Sequence, residues 1–286
     1  MSSIIGLIIV IGSVLGGYAM AGGPFAVLIQ PSELVVIGGA AIGSLVIAAP
    51  GKVGRRVLGA FKQGFVGSSP GKLEYVELLK LLYQLFQLLR REGILALEVH
   101  VSDPTKSEIF TKYPSVLKRH VALEFLVDGL RQMVDGCTAE ELNEMFEAEL
   151  ETLHDEDQQP ISLLRATGDA LPGLGIVAAV LGIILTMGKL DGTPEEIGHH
   201  VGAALVGTFL GILLCYGVLS PLATSVEMHS AATARYVTTI KHGLLAAARG
   251  ANPAIAIELA RRAIFSDERP TSDELEKEFA SLRGGG

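Results

Sequence analysis

The chain has 286 residues, of which 49% are hydrophobic and 19% charged, and its formal net charge is -8. A mean hydropathy of +0.43 is too apolar for a soluble protein of this size, so part of the chain belongs in lipid. The acidic balance excludes a nucleic-acid binder that works through a basic surface, and the hydrophobic share excludes disorder.

Four apolar stretches approach the roughly 20 residues that a helix needs to cross about 30 Å of hydrocarbon. The first runs from Ile4 to Met20. Met1-Ser2-Ser3 carries no basic residue and a second stretch follows closely, so the first is read as a retained span rather than a signal peptide. The second runs from Leu34 to Ala49, with Lys52, Arg55, Arg56 and Lys62 directly after it. From Leu73 to Leu89 the apolar residues Leu73, Val76, Leu79, Leu82, Leu85 and Leu89 recur three or four apart, which predicts one face of a helix that Gly93 interrupts. The same pattern returns in Val121 to Met133 and in Ala139 to Leu153, the latter opened by Thr138 and Glu141 at capping-box spacing. The third and fourth apolar stretches run from Leu171 to Met187 and from Val201 to Leu222. From Ala223 to Arg249 there is no proline and one internal glycine, so the fourth span is expected to continue as a long helix. Pro253 opens another helix before an acidic segment and a glycine tail.

Positive flanks stay on the cytoplasmic side of a bilayer. The loop from Ala21 to Glu33 has no Lys or Arg, and the loop between the third and fourth spans sets Lys189 against Asp191, Glu195 and Glu196. The expected protein is therefore all-α: a polytopic membrane protein with four transmembrane helices and a large helical cytoplasmic domain inserted between the second and third. Its expected parts are residues 1–50 as a first transmembrane hairpin, 51–170 as the cytoplasmic domain, 171–222 as a second hairpin and 223–286 as cytoplasmic C-terminal helices and tail. Both termini fall in the cytoplasm.

Within the spans the notable residues are small or kinking. Gly175, Ala179 and Gly182 share a face of the third span, and Gly207 and Gly211 repeat the device in the fourth, a spacing that lets backbones approach closely. That face either packs within the subunit or receives an oligomer axis or partner helix. Pro172 and Pro221 each lack an amide donor and face the carbonyls of Gly168 and Gly217, so each marks a potential hinge. The span interiors hold no Asp, Glu, Lys or Arg. Glu33 and Asp169 lie at span edges and are read as interfacial anchors or helix-start caps. Thr186, Thr208 and Tyr216 remain as polar candidates, although a lone Thr in a membrane helix most often bonds its own backbone. A pathway that moves protons by protonation needs a titratable group, so if this chain conducts, a partner must bring the carboxylate. Cys137 and Cys215 read as free thiols, the adjacent His199 and His200 as chance neighbours, and neither metal nor cofactor is expected.

The run Gly168-Asp-Ala-Leu-Pro172-Gly-Leu-Gly175-Ile-Val-Ala-Ala-Val-Leu-Gly182 resembles MotA, the stator subunit of the bacterial flagellar motor, in the MotA/TolQ/ExbB proton channel family. So does Gly202-Ala-Ala-Leu-Val-Gly207-Thr208-Phe-Leu-Gly211-Ile-Leu-Leu-Cys-Tyr216-Gly217, running on to Ser220-Pro221. Arg90-Arg-Glu-Gly93 through Glu98, and the tail Ser266-Asp-Glu-Arg269-Pro270 with Glu274-Leu-Glu276, are similar to it as well. The resemblance implies an inner-membrane subunit that is not an enzyme. It implies a ring of five copies around a dimer of MotB, whose transmembrane Asp supplies the missing carboxylate. Carried over by position, Pro172 and Pro221 match the prolines that couple ion flow to conformational change. Arg90 and Glu98, and more weakly Glu149, match charges that meet the rotor protein FliG. Thr208 and Tyr216 match channel-facing positions. Ala179 stands where sodium-driven relatives carry Thr, which points to a proton motor because a hard cation loses an oxygen ligand there. The alternative is an ExbB/TolQ-type proton-driven energiser, whose chains typically have three spans. A solo transporter or membrane enzyme finds no paired carboxylates, broken helix or buried charge at mid-depth.

Overall fold

The computed structural model describes residues 2–188 and 193–283, and every regular element among them is helical. The expectation for Lys189 and Asp191 lies outside the described residues. In chain order the helices are α1 (Ser2–Met20), α2 (Phe25–Leu28), α3 (Pro31–Ala48), α4 (Gly51–Val66), α5 (Lys72–Glu92), α6 (Glu98–Ser102), α7 (Pro114–Leu117), α8 (His120–Val134), α9 (Ala139–Met187), α10 (Pro194–Leu214), α11 (Ser220–Ala248), α12 (Pro253–Arg262) and α13 (Ser272–Arg283). A π turn, Cys215–Leu219, joins α10 to α11, and a 3₁₀ turn, Ile94–Leu97, precedes α6.

Four helical stretches are long and apolar enough to cross a membrane: Ser3–Met20, Phe25–Ala48, part of Ala139–Met187 and part of Pro194–Ala248. Three of the four expected spans fall inside them, and the second, Leu34 to Ala49, runs one residue past its stretch. The third is not a helix of its own. α9 is 49 residues long with Pro160 and Pro172 inside it, where separate helices over 139–153 and 171–187 were expected. At 1.5 Å per residue it reaches about 74 Å, more than twice the hydrocarbon thickness. No glycine interrupts residues 139–167, and the helix runs on through Pro160 and Gly168, which lie between the two expected helices.

The chain forms two compact units. The first comprises residues 1–68 and 156–229. One of its clusters joins Ile37 and Ala41 of α3 to Leu171 and Ala178 of α9 and to Cys215. The other joins Val57 and Ala60 of α4 to Ile161, Leu164, Ala223 and Val226. Apolar residues such as Ile8 and Ile9 of α1 and Val46 and Ile47 of α3 remain exposed, as lipid-facing surfaces are.

The second unit comprises residues 69–155 and 230–286 and has an ordinary soluble core. Leu78, Leu79, Leu82 and Leu85 of α5 pack with Phe125 and Leu130 of α8, Tyr236 and Ile240 of α11 and Ile257 of α12. Full burial stabilises by about 1.5–3 kcal/mol for each such side chain. Leu73, the first residue of the expected stripe, is exposed instead, and Tyr75 and Phe86 join the buried face. Tyr236 stacks at a tilt on Tyr75 with ring centroids 5.1 Å apart, and the Arg119 guanidinium lies 5.5 Å from the Tyr236 ring centre. Helix α13 is held by Tyr83 stacked on Phe279 at 4.3 Å and by ion pairs from Lys72 to Glu274 and from Lys80 to Glu278.

Candidate functional site

The small-residue faces of α9 and α10 meet each other. A Cβ placed on Gly175 would lie 2.6 Å from the Gly207 carbonyl oxygen and 3.2 Å from the Cα atoms of Thr208 and Gly211. One on Gly182 would lie 2.8 Å from the Ala204 Cβ. These are backbone or near-backbone atoms that cannot swing aside, so the glycines are what lets the two helices touch. Packing within the chain thus accounts for Gly175, Gly182, Gly207 and Gly211, the first of the two readings left open by the sequence. Ala178 and Ala179 are buried in the same seam. Thr208 stands on its edge, half-buried, and its hydroxyl makes no hydrogen bond among the described residues. Thr186 follows the usual behaviour and donates to the Gly182 carbonyl at 2.8 Å. Tyr216 is 68% exposed on the apolar surface.

Pro172 is half-buried within α9. Gly168, whose carbonyl loses its α-helical donor to Pro172, lies against the turn before Pro221: a Cβ on Gly168 would be 3.3 Å from the Leu219 Cβ. The two proline-weakened turns therefore meet. Before Pro221 the helix changes register, and the Ser220 amide donates to the Cys215 carbonyl five residues back. Without an amide on Pro221, neither Gly217 in α register nor Tyr216 in π register receives a bond from it, and the wider turn takes up the mismatch. Gly217 also faces α1, since a Cβ there would sit 2.9 Å from the Val10 Cγ1. At the position where the sequence marks a potential hinge, the chain forms a π turn.

Glu33 departs from its expected role as an interfacial anchor or cap. It is 7% exposed, it makes no capping bond at the start of α3, and its Oε2 has no hydrogen-bond partner. The sequence places it at a span edge; the glycines of the α9–α10 seam, invisible as a cradle in one dimension, make room for it.

The remaining candidates belong to the second unit. Arg90 lies in the last turn of α5 and Glu98 begins α6. Gly93 between them has φ +86°, a conformation that L side chains rarely adopt, and it ends α5. Leu97 is fully buried and ties the intervening turn to the core. Arg90 and Glu98 are both exposed, and neither forms an ion pair among the described residues. Glu149 differs, being half-buried on α9. Burial, reinforced by the Asp128 and Glu124 carboxylates, holds its pKa above the ordinary carboxyl value. Cys137 and Cys215 are both free thiols.

Residues 4–93 match the Motility protein A N-terminal family, and residues 118–239 match the MotA/TolQ/ExbB proton channel family. Motility protein A of Salmonella typhimurium is 41% identical over 98% of this chain and 95% of its own length. The solved structure of the flagellar MotAB stator complex from Bacillus subtilis contains a chain 28% identical, with a TM-score of 0.77 over 96% of this chain and 98% of that one. A chain of C. jejuni MotAB, 23% identical, shares the fold with a TM-score of 0.80, covering 95% of this chain and 98% of that one. On this evidence the chain belongs to the motility protein A family of the MotA/TolQ/ExbB proton channels.

Proposed function

We infer that this chain is the stator subunit of a bacterial flagellar motor, which with MotB forms a proton-conducting channel and turns the proton gradient into torque. The observation that carries this reading is the likeness to motility protein A along 98% of the chain. The near absence of charge from the four apolar helices agrees with it, because the ion-binding carboxylate then comes from MotB. In this reading residues 1–50 and 171–222 of the first unit cross the inner membrane, and both termini of the chain are cytoplasmic. The second unit is the cytoplasmic domain, and five copies surround a MotB dimer. Thr208, Tyr216 and Ala179 border the ion path, and Pro172 and Pro221 convert ion passage into movement. Arg90 and Glu98 meet the rotor protein FliG, where exposed, unpaired charges favour fast and reversible encounter. Glu149, half-buried, is the weakest of the three rotor-contacting positions. The chain performs no catalysis of its own.

One elementary charge crossing about 100 mV releases roughly 2.3 kcal/mol, whereas a two-state equilibrium needs about 5.5 kcal/mol to switch almost completely. Each ion therefore biases the proline turns rather than locking them, which fits many small steps.

The test is swimming of a stator-deleted bacterium given this chain with its MotB, with and without the MotB transmembrane Asp. Motility that needs the Asp is expected. Membrane-inserted, co-purifying protein without motility refutes the motor reading in favour of an ExbB/TolQ-type energiser. Rotation that tracks the sodium gradient and survives collapse of the proton gradient refutes the proton assignment.

A further inference from the structure

Among the described residues, the α9–α10 seam holds one carboxyl group. Glu33 reaches from the first turn of α3 into the space left by two glycines: a Cβ on Gly207 would lie 2.5 Å from its Oε2, and one on Gly182 would lie 3.6 Å from its Oε1. That same Gly207 position is 3.2 Å from the Ala179 amide nitrogen and one residue from Thr208, so the carboxyl shares its cradle with two positions assigned to the ion path. The side chain is 7% exposed, and Oε2 is fully buried without a partner. No cation pairs with it among the described residues. Buried polar atoms are nearly always bonded, so an orphaned carboxyl oxygen is a place for an incoming donor.

We propose that Glu33 is a proton-relay residue, accepting protons within the seam and handing them on toward the partner's carboxylate; this rests on the stator reading above. A proton delivered by water forms an O–H bond at the carboxylate. That bond then breaks as the proton passes to the next acceptor, and Glu33 returns to its starting form with no net change in charge.

The test compares rotation of single motors under varied load in stator-deleted cells carrying wild type, Glu33→Gln or Glu33→Asp, each with MotB. Near stall a motor works close to equilibrium, so torque reports the free energy per ion and not the rate of its arrival. At low load the speed follows the proton-transfer rate. Glu33→Gln keeps size and polarity but cannot carry a proton, so its low-load speed is expected to fall about tenfold or more while stall torque per stator stays within about twofold. Glu33→Asp, which keeps a titratable carboxyl, recovers much of the speed. Unchanged low-load speed in Glu33→Gln overturns the relay. Equal losses at both loads with poor MotB co-purification, in Glu33→Gln and Glu33→Asp alike, also overturn it and make the carboxyl a packing element. Absence of rotation with the wild-type chain overturns the stator reading itself.

Discussion

Gly175→Ala is the sharpest perturbation of the seam. The added Cβ would lie 2.6 Å from the Gly207 carbonyl oxygen and 3.2 Å from two Cα atoms, and all three belong to the α10 backbone. Comfortable contact begins at about 3.5 Å, so the helices must part by roughly 1 Å along this stretch. Overpacking of this kind costs about 1–3 kcal/mol, against which Ala regains up to about 1 kcal/mol of helix propensity. Two residues earlier, a Cβ on Gly173 meets nothing within 4 Å. Gly173→Ala therefore keeps the propensity gain without the clash. Thermal unfolding of the purified complex with MotB should place the Gly175 variant below wild type and the Gly173 variant at or above it, with a shift of about 2–4 °C for each kcal/mol. Soft-agar swimming should follow the same order. If the two alanine variants unfold together, the close approach of α9 and α10 is not what holds these helices, and the packing account of all four seam glycines fails.

Reversing Arg90 to Glu should abolish torque while leaving the thermal midpoint within the range of about ±0.5 kcal/mol typical of exposed sites, because the side chain is exposed and unpaired; surviving torque refutes the rotor contact. Leu97→Ala should instead cost about 2–5 kcal/mol, since this fully buried side chain ties the turn between Arg90 and Glu98 to the core, and loss of both stability and swimming would show it. Glu149 binds its proton more tightly folded than unfolded, so stability falls as pH rises from the ordinary carboxyl range through its raised value. Glu149→Gln should therefore raise the melting temperature at pH 7 and lose that advantage at acid pH, as melting curves across pH would reveal. Pro221→Ala restores an amide four residues beyond Gly217, so the Cys215–Leu219 turn should tighten toward α register and torque should drop; backbone exchange rates at Gly217 and Tyr216 would report the new bond.

Periodicity alone located most of the helices, because it reports which face is buried. The stripe over residues 73–89, the repeats at 121–133 and 139–153, and the first and third apolar stretches lie within helices, while the second overruns α3 by one residue and the fourth runs from α10 through the π turn into α11. The capping box at Thr138 is present, with the Thr138 amide donating to Glu141 at 2.9 Å and the Glu141 amide donating back to the threonine hydroxyl at 3.2 Å. A second box, in which Thr193 caps α10 through Glu196, was equally legible from its spacing and was missed. So was α4, whose basic residues drew attention to orientation and away from Val57, Ala60 and Gly64, its buried stripe. Two features had no one-dimensional signal. The π turn depends on how α10 and α11 reconcile their registers around Pro221. The burial of Glu33 depends on a third helix meeting glycines about 150 and 170 residues further along the chain.

The arrangement of these residues bears on how the chain could move. A seam made of backbone against backbone resists separation, because every atom in contact is part of a helix. At Gly175 and Gly211 only backbone faces backbone, so small rotations or slides along the groove meet little resistance there, whereas at Gly207 the Glu33 carboxyl fills the groove. The weakened turns before Pro172 and Pro221 meet at one level of this seam. In the stator reading, ion passage therefore acts by sliding α9 against α10 and shifting the π turn rather than by prying the helices apart. A disulfide engineered between positions 182 and 204, where a Cβ on Gly182 would face the Ala204 Cβ at 2.8 Å, would separate the two motions. Blocking the slide should stop rotation under oxidation and restore it under reduction, whereas full rotation with the bond formed would exclude sliding as the working movement.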